Sequence, residues 1–198
     1  MDKCMIIAEA GVNHNGDLNT ALKLCDAAKE AGADVVKFQT WKTESIITRR
    51  VAQAEYQQEN TGVKESQFDM LKRLELSYDD FRKIKEYCDS IGIQYLSAPF
   101  DVPSVRFLGT LGLPLLKIPS GEITNLPYLE EMAKLHTPVL LSTGMSTLDE
   151  ITDALGVLDD GGCPEVTVLH CNTQYPTPYE DANLTAMIEL FEQFGLPV

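Results

Sequence analysis

The stretch Met5-Ile6-Ile7-Ala8-Glu9-Ala10-Gly11-Val12-Asn13-His14-Asn15-Gly16 decides between two architectures. Its apolar run is too short for a helix and reads as a strand, and the turn after it leads into a segment of helical period. A doubly wound open sheet carries its phosphate-binding fingerprint in this first turn, as Gly-x-Gly-x-x-Gly, so that the backbone can approach a pyrophosphate. Four residues, none of them glycine, lie between Gly11 and Gly16, so the fingerprint is missing. For a chain that alternates strands and helices, the remaining architecture is the (β/α)8 barrel.

The alternation continues outward from that turn. Asp34–Phe38, Ile93–Leu96, Leu115–Ile118, Val139–Leu141 and Val166–Leu169 join Met5–Ala8 as short, nearly continuous apolar runs, the pattern of buried parallel strands. Between them apolar residues recur at helical spacing, first as Leu18, Ala21, Leu22, Cys25 and Ala28. Ser77 with Asp80 and Thr147 with Glu150 read as capping boxes, and Gly195 reads as the stop of a last helix holding Leu184, Met187, Ile188 and Phe191. A longer connection from Trp41 to Leu76 holds a polar stretch and an extra helix around Phe68, Leu71 and Leu74. A complete barrel has eight units in typically ~250 residues. Six units in 198 residues predict a TIM barrel truncated after about six βα units, with Leu196-Pro197-Val198 as the first residues of a seventh strand.

Bulk composition narrows the function classes. Sixteen basic against thirty acidic residues give a formal charge of -14, which opposes nucleic acids and anionic membranes. No run approaches the ~18 apolar residues of a membrane span, and the first residues lack a signal-peptide pattern, so a cytoplasmic location is expected. Five cysteines at 4, 25, 88, 163 and 171 include no Cys-x-x-Cys pair and are expected to be small buried apolar residues.

In a barrel, chemistry gathers at the C-terminal ends of the strands. Those positions hold Glu9, Lys37-Phe38-Gln39-Thr40, Ser97-Ala98-Pro99, Lys117 with Ser120-Gly121-Glu122, Ser142-Thr143-Gly144-Met145, and His170-Cys171-Asn172-Thr173. Lys37 and Lys117 follow apolar residues, where a lysine is costly unless paired. Two such cations facing one cavity suit a ligand with a phosphate and a carboxylate, and the hydroxyls of Ser120, Ser142 and Thr143 add donors. The competing reading of each lysine is a rim side chain or an internal ion pair. Glu9 reads equally as the partner of one lysine or as a group acting on substrate, and Glu122 as the cap of the next helix. His14 and His170 stand at no metal-ligand spacing and read as structural histidines.

These motifs, with Ala54-Glu55-Tyr56-Gln57, Asn60-Thr61-Gly62, Glu65-Ser66-Gln67 and Tyr175-Pro176-Thr177-Pro178, stand in the order found in the N-acetylneuraminate (sialic acid) synthase family, which the whole chain resembles. That family includes legionaminate and pseudaminate synthases. The resemblance implies that residues 1–198 are an N-terminal synthase barrel domain, with strands seven and eight and a C-terminal antifreeze-like domain absent. It implies condensation of phosphoenolpyruvate with N-acetylmannosamine or a related N-acetylated amino sugar. Carbon 3 of phosphoenolpyruvate attacks the aldehyde, water adds at carbon 2, and phosphate leaves to give a nine-carbon 2-keto acid. By the resemblance Glu9, Gln39, Glu122 and Tyr175 meet the sugar and the developing intermediate, while Lys37, Lys117, Ser120, Ser142 and Thr173 hold phosphoenolpyruvate. Thr143 and Asn172 are further substrate-binding candidates. A divalent metal, Mn2+ or Mg2+, is implied, with ligands expected beyond residue 198, and relatives are homodimers. Ala98 stands where members carry a threonine hydroxyl. Two other readings remain: a non-catalytic phosphoenolpyruvate-binding or interaction remnant, and a Schiff-base aldolase with Lys117 as nucleophile.

Overall fold

The computed structural model describes residues 4–51 and 65–198, so the motifs Ala54-Glu55-Tyr56-Gln57 and Asn60-Thr61-Gly62 lie outside the described residues. The chain divides into two compact units, Met1–Phe107 and Leu108–Val198.

In the first unit three strands pair in parallel in the order β1 (Ile7–Gly11), β2 (Val35–Thr40) and β3 (Gln94–Pro99). The helix α1 (Leu18–Glu30) follows β1, and α2 (Thr43–Ile46), α3 (Gln67–Leu74) and α4 (Tyr78–Ile91) lie between β2 and β3. Asp17 caps α1 by accepting the N–H of Thr20, and Ser77 with Asp80 forms the expected capping box of α4. The register places Glu9, Lys37 and Leu96 in one row, with Gln39 and Ala98 in the next row of the same face. Val36, Phe38, Tyr95 and Ser97 take the opposite face, where α1 and α4 pack. Ala21, Cys25, Phe81, Ile84 and Cys88 of those helices are at most 1% exposed, and a buried side chain such as Ile84 contributes ~1.5–3 kcal/mol.

The loop leaving β2 is pinned by two carboxylates. Asp101 accepts the N–H of Lys42 at 2.6 Å, and Glu75 accepts from Lys42 Nζ, the Thr43 N–H and the Thr43 hydroxyl at 3.1, 2.9 and 2.8 Å. Burial alone would push the Glu75 carboxyl up. The Thr43 amide and hydroxyl, with Lys42 and Lys72, outweigh it and hold Glu75 below the usual carboxylate range.

The second unit holds β4 (Leu116–Ile118), β5 (Val139–Ser142) and β6 (Val166–Leu169), again parallel and in sequence order. The helix α5 (Val102–Gly109) leads into it, and the division between units falls in its last turn. α6 (Leu126–Ala133), α7 (Leu148–Asp160) and α8 (Ala186–Phe194) follow β4, β5 and β6 in turn. Thr147 and Glu150 make the second capping box. Leu116, Ile118, Leu141 and Val168 alternate with Lys117, Leu140 and Ser142 along the strands, so Lys117 and Ser142 share a face. Glu165 and Leu169 offer their carbonyls to β5, which turns Val168 to the other edge of β6, where its N–H donates to the Pro197 carbonyl at 2.8 Å.

The structure corrects three details of the sequence reading. The strands form two three-stranded sheets rather than one continuous run. β1, β2, β3 and β5 reach Gly11, Thr40, Pro99 and Ser142, beyond the end of the apolar runs, because hydrogen-bond pairing continues into polar residues. The last helix starts at Ala186, leaving Leu184 ahead of it and 71% exposed. Among the described residues no helix is long and apolar enough to cross a membrane.

Candidate active site

The first unit presents a charged pair at the end of its sheet. Glu9 and Lys37 are register partners, and their carboxylate and ammonium meet at 2.6 Å. The Glu9 side chain is 49% exposed, so the pair is worth ~0–1 kcal/mol and acts mainly to orient both groups. Gln39 lies one row on, beside Ala98, whose methyl leaves that position without a hydroxyl. After β1 the chain turns through His14, which is fully buried. The Gly16 N–H donates to His14 Nδ1 at 3.0 Å, which places the ring proton on Nε2, an atom with no partner among the described residues. Burial pushes the imidazole below its ordinary value, and Asp17 opposes this only in part.

The second unit gathers its candidates more tightly. Lys117, 7% exposed, donates to the Ile118 carbonyl at 2.7 Å and to Ser142 Oγ at 2.5 Å. Gly144 marks the point where three loops meet. A Cβ there would stand 2.9 Å from Thr173 Cγ2, 3.2 Å from Ser120 Oγ and 3.5 Å from the Cys171 carbonyl. The loops after β4, β5 and β6 therefore close around Gly144, where an added methyl would press on Thr173. Lys117 and Ser142 are joined by a hydrogen bond, and Ser120 Oγ and the Thr173 methyl flank Gly144, two residues after Ser142; an ammonium with hydroxyl donors suits an anion that accepts charge-assisted hydrogen bonds.

Other candidates have local work. The Thr143 hydroxyl donates to the Leu169 carbonyl at 2.9 Å, bracing β5 against β6. Glu122, in the turn Ser120–Glu122, accepts from Asn125 Nδ2 at 2.7 Å, and Asn125 caps α6. Asn172 accepts the Gln174 N–H at 3.0 Å and donates to the Asp181 carbonyl at 3.4 Å, folding the loop before α8. His170 Nε2 donates to the Ala182 carbonyl in the same loop at 2.9 Å. Tyr175 is 73% exposed. The reading of the cysteines as buried holds for Cys25 and Cys88; Cys4 is exposed, and Cys163 and Cys171 are half-buried. Cys171 Sγ lies 3.2 Å from Ser142 Oγ, a contact that its place among the strand-end residues hinted at and its residue type hid.

Among the described residues no group of three or more His, Cys, Asp or Glu is placed to hold a metal ion. That speaks neither for nor against the divalent metal that the resemblance implies, whose ligands are expected beyond residue 198.

A family model, the NeuB family, matches residues 24–198. An N,N'-diacetyllegionaminic acid synthase of Campylobacter jejuni is 48% identical over 200 residues, which span 100% of this chain and 60% of the relative. A second synthase of that name, from Legionella pneumophila, is 47% identical, spanning 98% and 56%. The crystal structure of N-acetylneuraminic acid synthetase from Leptospira borgpetersenii, in complex with citrate, superposes with a TM-score of 0.85 at 33% identity, over 99% of this chain and 64% of that one. The chain thus spans less than two thirds of the length of each of these relatives.

Proposed function

The chain belongs to the NeuB family, and from that premise we propose that it serves a synthase condensing phosphoenolpyruvate with an N-acetylated amino sugar to give a nine-carbon 2-keto acid. The parallel α/β units belong, in this reading, to a (β/α)8 synthase barrel. The observation that carries the reading is the buried ammonium of Lys117, hydrogen-bonded to Ser142 at 2.5 Å in the second unit, where Ser120 and Thr173 close around Gly144.

A buried cation with convergent hydroxyls is a preorganised anion site. Its donors are fixed before the ligand arrives, so binding orders little. Lys117, Ser120, Ser142 and Thr173 hold phosphoenolpyruvate, and the same donors stabilise charge that builds as its phosphate departs. Glu9, with Gln39 beside it, meets the acceptor sugar; Glu9 holds or moves a proton at the aldehyde oxygen, and Lys37 keeps its carboxylate oriented. The resemblance also assigns Glu122 and Tyr175 to the sugar; Glu122 accepts from Asn125 and Tyr175 is exposed. The identity of the two legionaminic acid synthases favours a diacetamido sugar over N-acetylmannosamine as the acceptor. The match to the NeuB family and to two named synthases favours this reading over the Schiff-base aldolase.

The test is phosphate release and keto-acid formation by the intact protein with phosphoenolpyruvate and each N-acetylated sugar. Lys117→Ala is expected to weaken phosphoenolpyruvate binding by about 2–5 kcal/mol while the fold survives, the usual cost of losing one partner of a buried charged contact. Turnover with no acceptor, or an unchanged Lys117→Ala variant, refutes the proposal.

A further inference from the structure

Ser142 has two described hydrogen-bond partners, Lys117 Nζ at 2.5 Å and Cys171 Sγ at 3.2 Å. A serine hydroxyl has one proton and two lone pairs, and an ammonium only donates, so Lys117 occupies one lone pair of Ser142. The sulfur contact then has two forms. Ser142 can give its only proton to the sulfur, a weak acceptor, and face an incoming ligand with nothing to donate. Alternatively the Cys171 thiol gives its proton to the second lone pair of Ser142. Both lone pairs are then filled and the hydroxyl proton is left for the ligand.

The ligand decides between them. A bound anion only accepts, and a hydrogen bond to an ionised oxygen is roughly twice as strong as one between neutral groups. The bound state therefore takes the form in which the thiol donates. The backbone of Cys171 is fixed in the same place: its carbonyl lies 3.5 Å from where a Cβ on Gly144 would stand. We infer that Cys171 is a positioning residue, whose thiol, together with Lys117, commits the Ser142 hydroxyl to donate to bound phosphoenolpyruvate. The inference rests on the reading of the Lys117 cluster as the phosphoenolpyruvate site.

The test compares wild type, Cys171→Ala, Cys171→Ser and Lys117→Ala in the intact protein. It uses calorimetric binding of phosphoenolpyruvate, steady-state kinetics and a thermal melt for each variant. Cys171→Ala is expected to weaken phosphoenolpyruvate binding and raise its KM about three- to tenfold, the size of one neutral hydrogen bond. The KM of the sugar and kcat at saturating phosphoenolpyruvate stay at wild-type values. Cys171→Ser keeps a donor and restores the affinity to within about twofold, a rescue that a packing role would not produce. Wild-type affinity in Cys171→Ala, or a serine variant as weak as the alanine one, overturns the inference while weak binding by Lys117→Ala leaves the anion site standing. Wild-type binding by Lys117→Ala overturns both. If Cys171→Ala fails to fold, the serine variant decides alone, and affinity more than about fivefold below wild type sinks the inference.

Discussion

Gly144→Ala adds a single methyl at the point where three loops of the second unit meet. The new Cβ would stand 2.9 Å from Thr173 Cγ2 and 3.2 Å from Ser120 Oγ. Ordinary carbon contacts lie at ~3.5–4.0 Å, so Thr173 has to retreat by about half an ångström or more. Overpacking a rigid core costs about 1–3 kcal/mol, but Thr173 is an exposed loop residue with room to move, which puts the stability loss near ~1 kcal/mol. The donors moved apart are the ones assigned to the anion. One misplaced hydrogen bond to a charged ligand costs about 1.5–3 kcal/mol, so phosphoenolpyruvate affinity should fall ten- to hundredfold. Calorimetric titration and a thermal melt of the same samples separate the two effects. Gly156→Ala is the control: a Cβ there meets nothing within 4 Å, and affinity should not change. Wild-type affinity in Gly144→Ala would show that Ser120 and Thr173 do not hold the ligand. A variant that unfolds would show that Thr173 is not free to yield.

Other perturbations test the first unit. Gly16 has φ +75°, and a Cβ on it would lie 2.3 Å from the Arg73 carbonyl oxygen. The left-handed backbone costs a non-glycine residue ~1–2 kcal/mol and the overlap ~1–3 more, so Gly16→Ala should lose about 2–5 kcal/mol in urea unfolding; an unshifted midpoint contradicts the packing. Glu9→Gln keeps the shape and removes the charge. In the intact protein it should lower kcat by roughly 10²-fold or more with phosphoenolpyruvate affinity nearly unchanged, and a parallel loss of both would leave Glu9 only its ion pair with Lys37. His14 has its pKa depressed in the folded state, so between its ordinary 6.5 and the lower folded value the unfolded chain binds the extra proton. Its contribution to stability is intact above pH 6.5 and is lost as pH falls below it. Chemical denaturation of wild type and His14→Gln across pH 5–8 should show wild type losing ground on the acid side, and parallel curves would place the titration elsewhere.

The sequence disclosed the elements better than their limits. Apolar patterning reports which residues leave water, and it located all six described strands; the Ser/Thr-to-acid spacing located both capping boxes, Ser77 with Asp80 and Thr147 with Glu150. The patterning misjudged the strand ends because a parallel ladder needs only backbone groups. Thr40 and Ser142 stay in the ladder though they are polar, and that is how site residues come to be held on rigid strands. Lys37 and Lys117 were legible because a lysine after apolar residues is anomalous on its own. Their partners were less so. Glu9 meets Lys37 only because the β1–β2 register puts them side by side, and the helix α2 has too few residues to show a period. Residue type marked Thr143 as a donor but did not reveal the Leu169 carbonyl that its hydroxyl meets. Cys171 was hidden by its type: thiols are usually bland packing groups, and its contact with Ser142 joins residues 29 apart in the chain.

The charge balance explains why such contacts matter here. A formal charge of -14 sets an average field that repels an anion, so capture by long-range attraction is a poor basis for a site on this chain. That field is screened over about 8–10 Å at physiological salt, whereas a contact inside the protein is screened far less. A lysine 7% exposed therefore outweighs many distant surface carboxylates once an anion touches it. The same logic separates the two lysines. Lys37 is matched by the Glu9 carboxylate at 2.6 Å, and the pair carries no net charge, which suits orientation of a reacting group. Lys117 donates to the Ser142 hydroxyl and the Ile118 carbonyl, which hold its buried ammonium in place. In an acidic protein an anion site has to be built from donors held inside the fold in this way, packed close enough that one methyl on Gly144 disturbs it.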